Sequence, residues 1–147
     1  MTKVEFYILE DEKPRAAFHH AVSLIEQSFR GNKRVFVHTE SKRDAEYMDE
    51  LLWTREPSSF LPHLLVGEAE GILPPIQIGF GQQPDVRPDV LINLANEVPQ
   101  FHGRFERLVE YAHGDEEAKE QARERFKFYR DRGYPLKHLK VNSSQPG

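Results

Sequence analysis

V-E-F-Y-I-L (Val4–Leu9), then E-D-E-K-P (Glu10–Pro14), then Phe18, Ala21, Val22, Ile25 and Phe29 at helical spacing, then R-V-F-V-H (Arg34–His38): this opening decides the fold. β-Branched and aromatic residues dominate the first and last runs, as buried strands require. Between them Pro14 suits the first position of a helix, and Gly31 its end. Ser41 then offers an N-cap with Asp44 three residues on, and Ala45, Met48 and Leu52 line one face of a second helix. Helices of this length between strands serve as crossovers, so the pattern predicts parallel strands covered by helices.

The same alternation continues downstream. Pro75–Phe80 (P-I-Q-I-G-F) and Asp89–Leu94 (D-V-L-I-N-L) read as further strands, separated by the polar, proline-containing turn Gly81–Pro88. Arg107–Tyr111 (R-L-V-E-Y) reads as a final strand, the alternative being a helix continuing from Phe101. Asp115–Arg132 is the clearest helix, and Val141–Gly147 reads as a flexible tail. The expectation is one α/β domain over residues 1–140, a central mostly parallel sheet flanked by helices with Rossmann-like topology. A chain of 147 residues that is 38% hydrophobic has material for one core and not for two.

Composition narrows the function classes. No apolar run approaches the roughly 20 residues that span a bilayer, and M-T-K-V-E-F lacks the regions of a signal peptide, so a cytoplasmic chain with no membrane role is expected. The absence of cysteine excludes disulfides, thiolate metal ligands and Cys nucleophiles. The net charge of −4 argues against general nucleic-acid binding, but it is unevenly spread. Between Lys119 and Lys140, eight Lys or Arg face only Glu120, Glu124 and Asp131, so a basic surface sits on an acidic body.

A β-α-β opening invites a dinucleotide, and the first turn argues against one. A phosphate-binding turn needs glycines that let backbone N–H groups approach the anion, whereas Glu10, Asp11 and Glu12 stand here. Ile78-Gly79-Phe80-Gly81 holds a lone G-x-G and reads as a strand end. Neither a G-x-S-x-G elbow nor an H-E-x-x-H pair occurs. His19 and His20, adjacent on a helix, face different sides and cannot chelate one ion; they read as solvated or capping residues. His38 and His63 could meet in a pocket, though nothing in the sequence requires it. No cofactor and no metal are expected.

Met48–His63 (M-D-E-L-L-W-T-R-E-P-S-S-F-L-P-H) has another character. It carries the single tryptophan, Trp53, to a helix end, then presents Phe60, Pro62 and His63. The prolines predict a rigid loop over Ser59–His63. Large apolar groups on such a loop suit a docking surface, the alternative being plugs for the core. On the last helix, at about 100° per residue, Ala118, Ala122 and Tyr129 share a face toward the sheet. Lys119, Arg123, Lys127 and Arg130 occupy the adjoining sector, with Phe126 on the seam. A ring beside a cationic stripe would fit an acidic peptide ending in an apolar residue. An ordinary surface helix, with its charges matched to its dipole, is the alternative.

D-E-L-L-W, a spacer and S-F-L-P-H, together with K-V-E-F-Y-I-L at the start and Q-A-R-E-R-F-K-F-Y-R near the end, resemble the chi subunit family of bacterial DNA polymerase III. The likeness spans nearly the whole chain and departs mainly after Tyr134. It implies a non-catalytic clamp-loader accessory protein whose last helix binds the acidic C-terminal tail of single-stranded DNA-binding protein (SSB). The matching positions here are Arg123, Phe126 and Lys127, with Lys119 a further basic position and Ala112 a small residue beside the pocket. Phe126 stands where a tyrosine is familiar, keeping the ring without its hydroxyl. By the same resemblance Trp53, Phe60, Pro62 and His63 would dock the psi subunit of the clamp loader or a DNA-repair helicase, and DNA would be reached through SSB. Two rivals from other classes are a small nucleotide-binding or hydrolytic α/β enzyme and a direct single-stranded DNA binder using residues 119–140.

Overall fold

The computed structural model describes residues 2–54, 61–66, 74–82 and 89–143. These residues form seven strands and three α-helices: β1 Lys3–Leu9, α1 Ala16–Arg30, β2 Val35–His38, α2 Lys42–Trp53, β3 His63–Leu65, β4 Ile76–Gly79, β5 Val90–Asn93, β6 Arg107–Ala112, α3 Glu116–Asp131 and β7 Leu136–Val141. The strands make one parallel sheet in the order β3-β4-β2-β5-β6-β1-β7. The expected α/β architecture is therefore the observed one, and each strand predicted from the sequence is present.

Strand alternation sorts the sheet into two faces. Tyr7, Val35, Val37, Ile76, Ile78, Ile92 and Val109 pack under α1 and α2 with Leu24, Ile25, Met48 and Leu52. The other face holds Val4, Phe6, Phe36, Leu91 and Leu108 against Phe101, Phe105 and Tyr129. Runs buried on both faces read as continuous apolar stretches, which is why the inner strands were visible in the sequence. Gly79 is explained by this packing: a Cβ there would stand 2.7 Å from the Phe36 ring. Gly81 follows with φ 118°, a turn that glycine adopts freely, so the lone G-x-G is a strand end.

Several local expectations are corrected. Helix α1 begins at Ala16 rather than Pro14, because Arg15 takes left-handed geometry at φ 60° as its N-cap. His63 does not belong to a loop; it opens the edge strand β3, with Pro62 just outside, where a missing N–H costs no ladder bond. The expected tail begins inside β7: Val141 pairs with Leu9, and Ser143 donates from N–H and Oγ to Asp11 at 3.0 and 2.6 Å. That bonding holds the Asp11 carboxyl below its ordinary range. His20 is buried rather than solvated, sharing a 2.9 Å hydrogen bond with the Tyr111 hydroxyl. Phe60 and most of the Gly81–Pro88 turn lie outside the described residues.

Candidate functional site: a cleft beneath the last helix

Helix α3 starts with Asp115 as N-cap, its carboxylate accepting from Ala118 N–H at 2.9 Å, and Glu116 and Glu117 follow in the first turn. Acids at this end and Arg130 in the last turn match the helix dipole. One bond network then fixes the helix to the sheet. Arg125, nearly buried, donates Nε to Glu110 Oε1 at 2.9 Å, Nη1 to Asn96 O at 2.8 Å and Nη2 to Tyr111 O at 2.9 Å. Glu110 Oε2 accepts from Asn93 Nδ2 at 2.9 Å and Tyr129 Oη at 2.7 Å.

Burial pushes the Glu110 pKa up, and the Arg125 guanidinium works against that shift. Every partner of Glu110 donates, so the surroundings suit the carboxylate. Burial and the neighbouring Glu110 raise Tyr129 as well, keeping its hydroxyl a donor. Sequence reading missed this network. Glu110 interrupts an apolar strand and Arg125 falls among surface-like residues, and only the fold brings them together.

With α3 pinned, a cleft of about 370 Å³ opens between it and the β7 end of the sheet, lined by Phe6, Ile8, Ala112, Lys119, Ala122, Arg123, Phe126 and His138. Four of the five predicted tail-site residues, Ala112, Lys119, Arg123 and Phe126, thus line one concavity. Lys127 does not; it is exposed elsewhere on α3. The Phe126 ring, half-buried, stands edge-on to Phe6 at 5.2 Å and to His138 at 6.2 Å. Apolar rings and small residues form the floor, and Lys119 and Arg123 stand at the rim. Arg123 Nη1 meets Glu120 at 2.7 Å, an exposed pair that a ligand carboxylate can displace at little cost.

The second predicted surface is at the other end of the sheet. Trp53 closes α2 and is 55% exposed, which removes the core-plug reading for it. Its ring meets the His63 imidazole edge-on at 4.9 Å. His63 is 1% exposed at its side chain, donates Nδ1–H to Leu61 O, and turns Nε2 toward Asp49 Oδ1 at 3.2 Å. Pro62, just ahead of β3, is half-buried. His38 is elsewhere, donating to Asn93 Oδ1 at 3.0 Å, so the two histidines do not share a pocket.

The usual ligand position of an open α/β sheet, outside the carboxyl ends of the strands, is occupied by a cleft of about 180 Å³ bounded by Arg15, Phe18, Asn93, Tyr111, His113 and Arg125 among others. Arg125 there is committed to Glu110. Among the described residues no cluster of side chains could hold a metal ion, and no helix is long and apolar enough to cross a membrane.

Comparison with known proteins identifies the family. The family model described as DNA polymerase III chi subunit, HolC, matches residues 1–137. This chain belongs to the DNA polymerase III chi subunit family. Among its relatives, the DNA polymerase III subunit chi of Haemophilus influenzae is 38% identical over 133 residues, 90% of this chain and 92% of the relative. That of Pseudomonas aeruginosa is 35% identical over 137 residues, 92% and 94%. That of Escherichia coli K12 is 31% identical over 141 residues, 92% and 96%. Of solved structures, T4 UvsW aligns with a TM-score of 0.66 at 8% identity, covering 97% of this chain and 42% of that one, a likeness of fold alone. As a chi-family chain it is an accessory subunit of a replicative DNA polymerase.

Proposed function

We propose that this chi-family chain is a non-catalytic adaptor that tethers the clamp-loader complex to SSB-coated DNA. Its α3 cleft receives the acidic C-terminal tail of SSB, and the Trp53 and Pro62 edge, with Phe60, docks the psi subunit or a DNA-repair helicase, the buried His63 imidazole backing the Trp53 ring rather than meeting the partner. The observation that carries this reading is the cleft itself, where an apolar floor of Phe6, Ile8, Ala112 and Phe126 lies directly under Lys119 and Arg123. A terminal apolar side chain fits the floor, and the carboxylates before it fit the rim.

A short flexible peptide must be ordered on binding, so affinity is expected on the order of micromolar, and many tails on one coated strand raise residence by avidity. Bare single-stranded DNA would instead need rings stacked in a continuous platform. Phe126 faces the cleft while Phe128 packs against Tyr129 and His102, so these rings do not form one.

The test is fluorescence anisotropy with a labelled synthetic SSB tail. Phe126→Ala should weaken binding about tenfold or more, the equivalent of roughly 1.4 kcal/mol. Lys127→Glu, acting from outside the cleft, should do less. Parent-like binding by Phe126→Ala would move the site off this helix.

A further inference from the structure

The cleft has a second wall, and that wall is a strand. On β7, Leu136 packs with the cluster under α3, while Leu139 and Val141 pack with the cluster under α1. Alternation then puts His138 and Lys140 on the α3 side. His138 lines the cleft. Lys140 is in register with Ile8, and Ile8 with Ala112, so Lys140 stands on the next strand beside the floor residues Ile8 and Ala112. Helix α3 runs back from this same end of the sheet and carries Lys119 on its first turns. Lys119 on the helix and Lys140 on the strand therefore lie to either side of Ile8 and Ala112, Lys140 just beyond the residues that line the cleft.

Among the described residues neither lysine makes an ion pair within 4 Å, whereas Lys137, on the opposite face of β7, reaches Glu5 at 3.9 Å. The distinction matters because an extended peptide sends successive side chains to opposite sides. A run of carboxylates held against α3 alone would leave every second one facing an uncharged wall.

We infer that β7 forms half of the acidic-peptide site, Lys140 taking the alternate carboxylates that Lys119 and Arg123 cannot reach and His138 closing over the terminal side chain beside Phe126. This rests on the tail-receptor reading of the cleft and adds to it the contacts made by the strand. An extended acidic peptide ending in an apolar residue is gripped from both sides.

The test uses the full chain and a fluorescein-labelled peptide with a run of Asp ahead of a C-terminal Phe. Lys140→Gln and Lys137→Gln change the net charge equally; they differ in the face they occupy and in the 3.9 Å contact of Lys137 with Glu5. Lys140→Gln should weaken binding about two- to fivefold, the scale of one exposed ion pair, and Lys137→Gln should leave it unchanged. In peptides with every second Asp changed to Asn, one alternate set should lose its sensitivity to Lys140→Gln and the other its sensitivity to Lys119→Gln. Equal effects of the Lys140 and Lys137 variants, with Phe126→Ala still damaging, would overturn the strand's role and leave the helix site standing. A parent chain that does not bind the peptide would overturn both.

Discussion

The two edges of the sheet are built for different kinds of contact. At the β7 edge the surface is concave: an apolar floor lies under cations, and the ring of Phe126 is already packed against Phe6 and His138. At the β3 edge Trp53 stands exposed at the end of α2, backed by a buried imidazole and by Asp49. On the function proposed above, the first geometry would capture a chain end and should respond to salt; the second would dock a partner and should respond mainly to loss of the ring. Six strand spacings separate the edges, roughly 29 Å along the sheet, so two partners can be held at once.

The edges also differ in how their helices are held, and this gives the largest expected effect. Met48 and Leu52 anchor α2 by apolar contact, whereas α3 adds the buried Arg125–Glu110 pair to the apolar contacts of Ala122 and Tyr129. Removing one partner leaves the other charge buried, so Arg125→Ala should cost about 3–5 kcal/mol in urea denaturation. Replacing both, as Glu110→Leu with Arg125→Met, should recover part of that loss. A cost below about 1 kcal/mol for Arg125→Ala would mean that α3 is held by its apolar face alone.

Next in size is the separation of the two surfaces. Phe126→Ala should lower tail affinity by about 1.4 kcal/mol or more, while Trp53→Ala leaves it unchanged. For sites this far apart the two effects should add to within about 0.5 kcal/mol. A larger coupling, measured by anisotropy across the four variants, would show that the edges communicate.

The same contrast explains what could be read in the sequence. The inner strands are buried on both faces and announced themselves as apolar runs; β3 and β7 did not. H-L-L is too short to show a period, and L-K-H-L-K-V is an edge strand whose lysines face water, the usual protection of an open edge. Since the cleft lies at the β7 edge, missing that strand meant missing His138 and half of the concavity. Lys119, Arg123 and Phe126 were legible because they lie on one helix and share a sector. Lys127 shares that sector too, and only the position of the sheet puts it outside the cleft. Arg125 and Glu110 look like surface charges until the fold buries them together.

Acid should weaken the middle of the molecule and so act on both edges alike. Burial holds the His20 pKa below its ordinary value, about 6.5, while the unfolded chain keeps that value. On acidification the unfolded chain takes up the proton first, so the contribution to stability is complete above about pH 6.5 and declines as pH falls toward the folded value. Half-buried His38 is shifted in the same direction by the same cause. Thermal melts should therefore show Tm falling from pH 7.5 to 5.5, with a shallower fall in His20→Gln. An unchanged slope in that variant would assign the acid response to other groups.

The smallest effect is the most telling about the β3 edge. A tryptophan buried in a core costs about 3–5 kcal/mol when cut to alanine, because a cavity remains. Trp53, 55% exposed at the end of its helix, leaves no closed cavity, and the removed ring is already partly hydrated. Trp53→Ala should then cost no more than about 1 kcal/mol in urea denaturation, within the range of ordinary surface changes. A large partner penalty beside this small stability loss would locate the ring's role in docking. A loss near 3 kcal/mol would mean instead that Trp53 holds α2 against β3, and the exposed ring would then be part of the scaffold rather than a docking group.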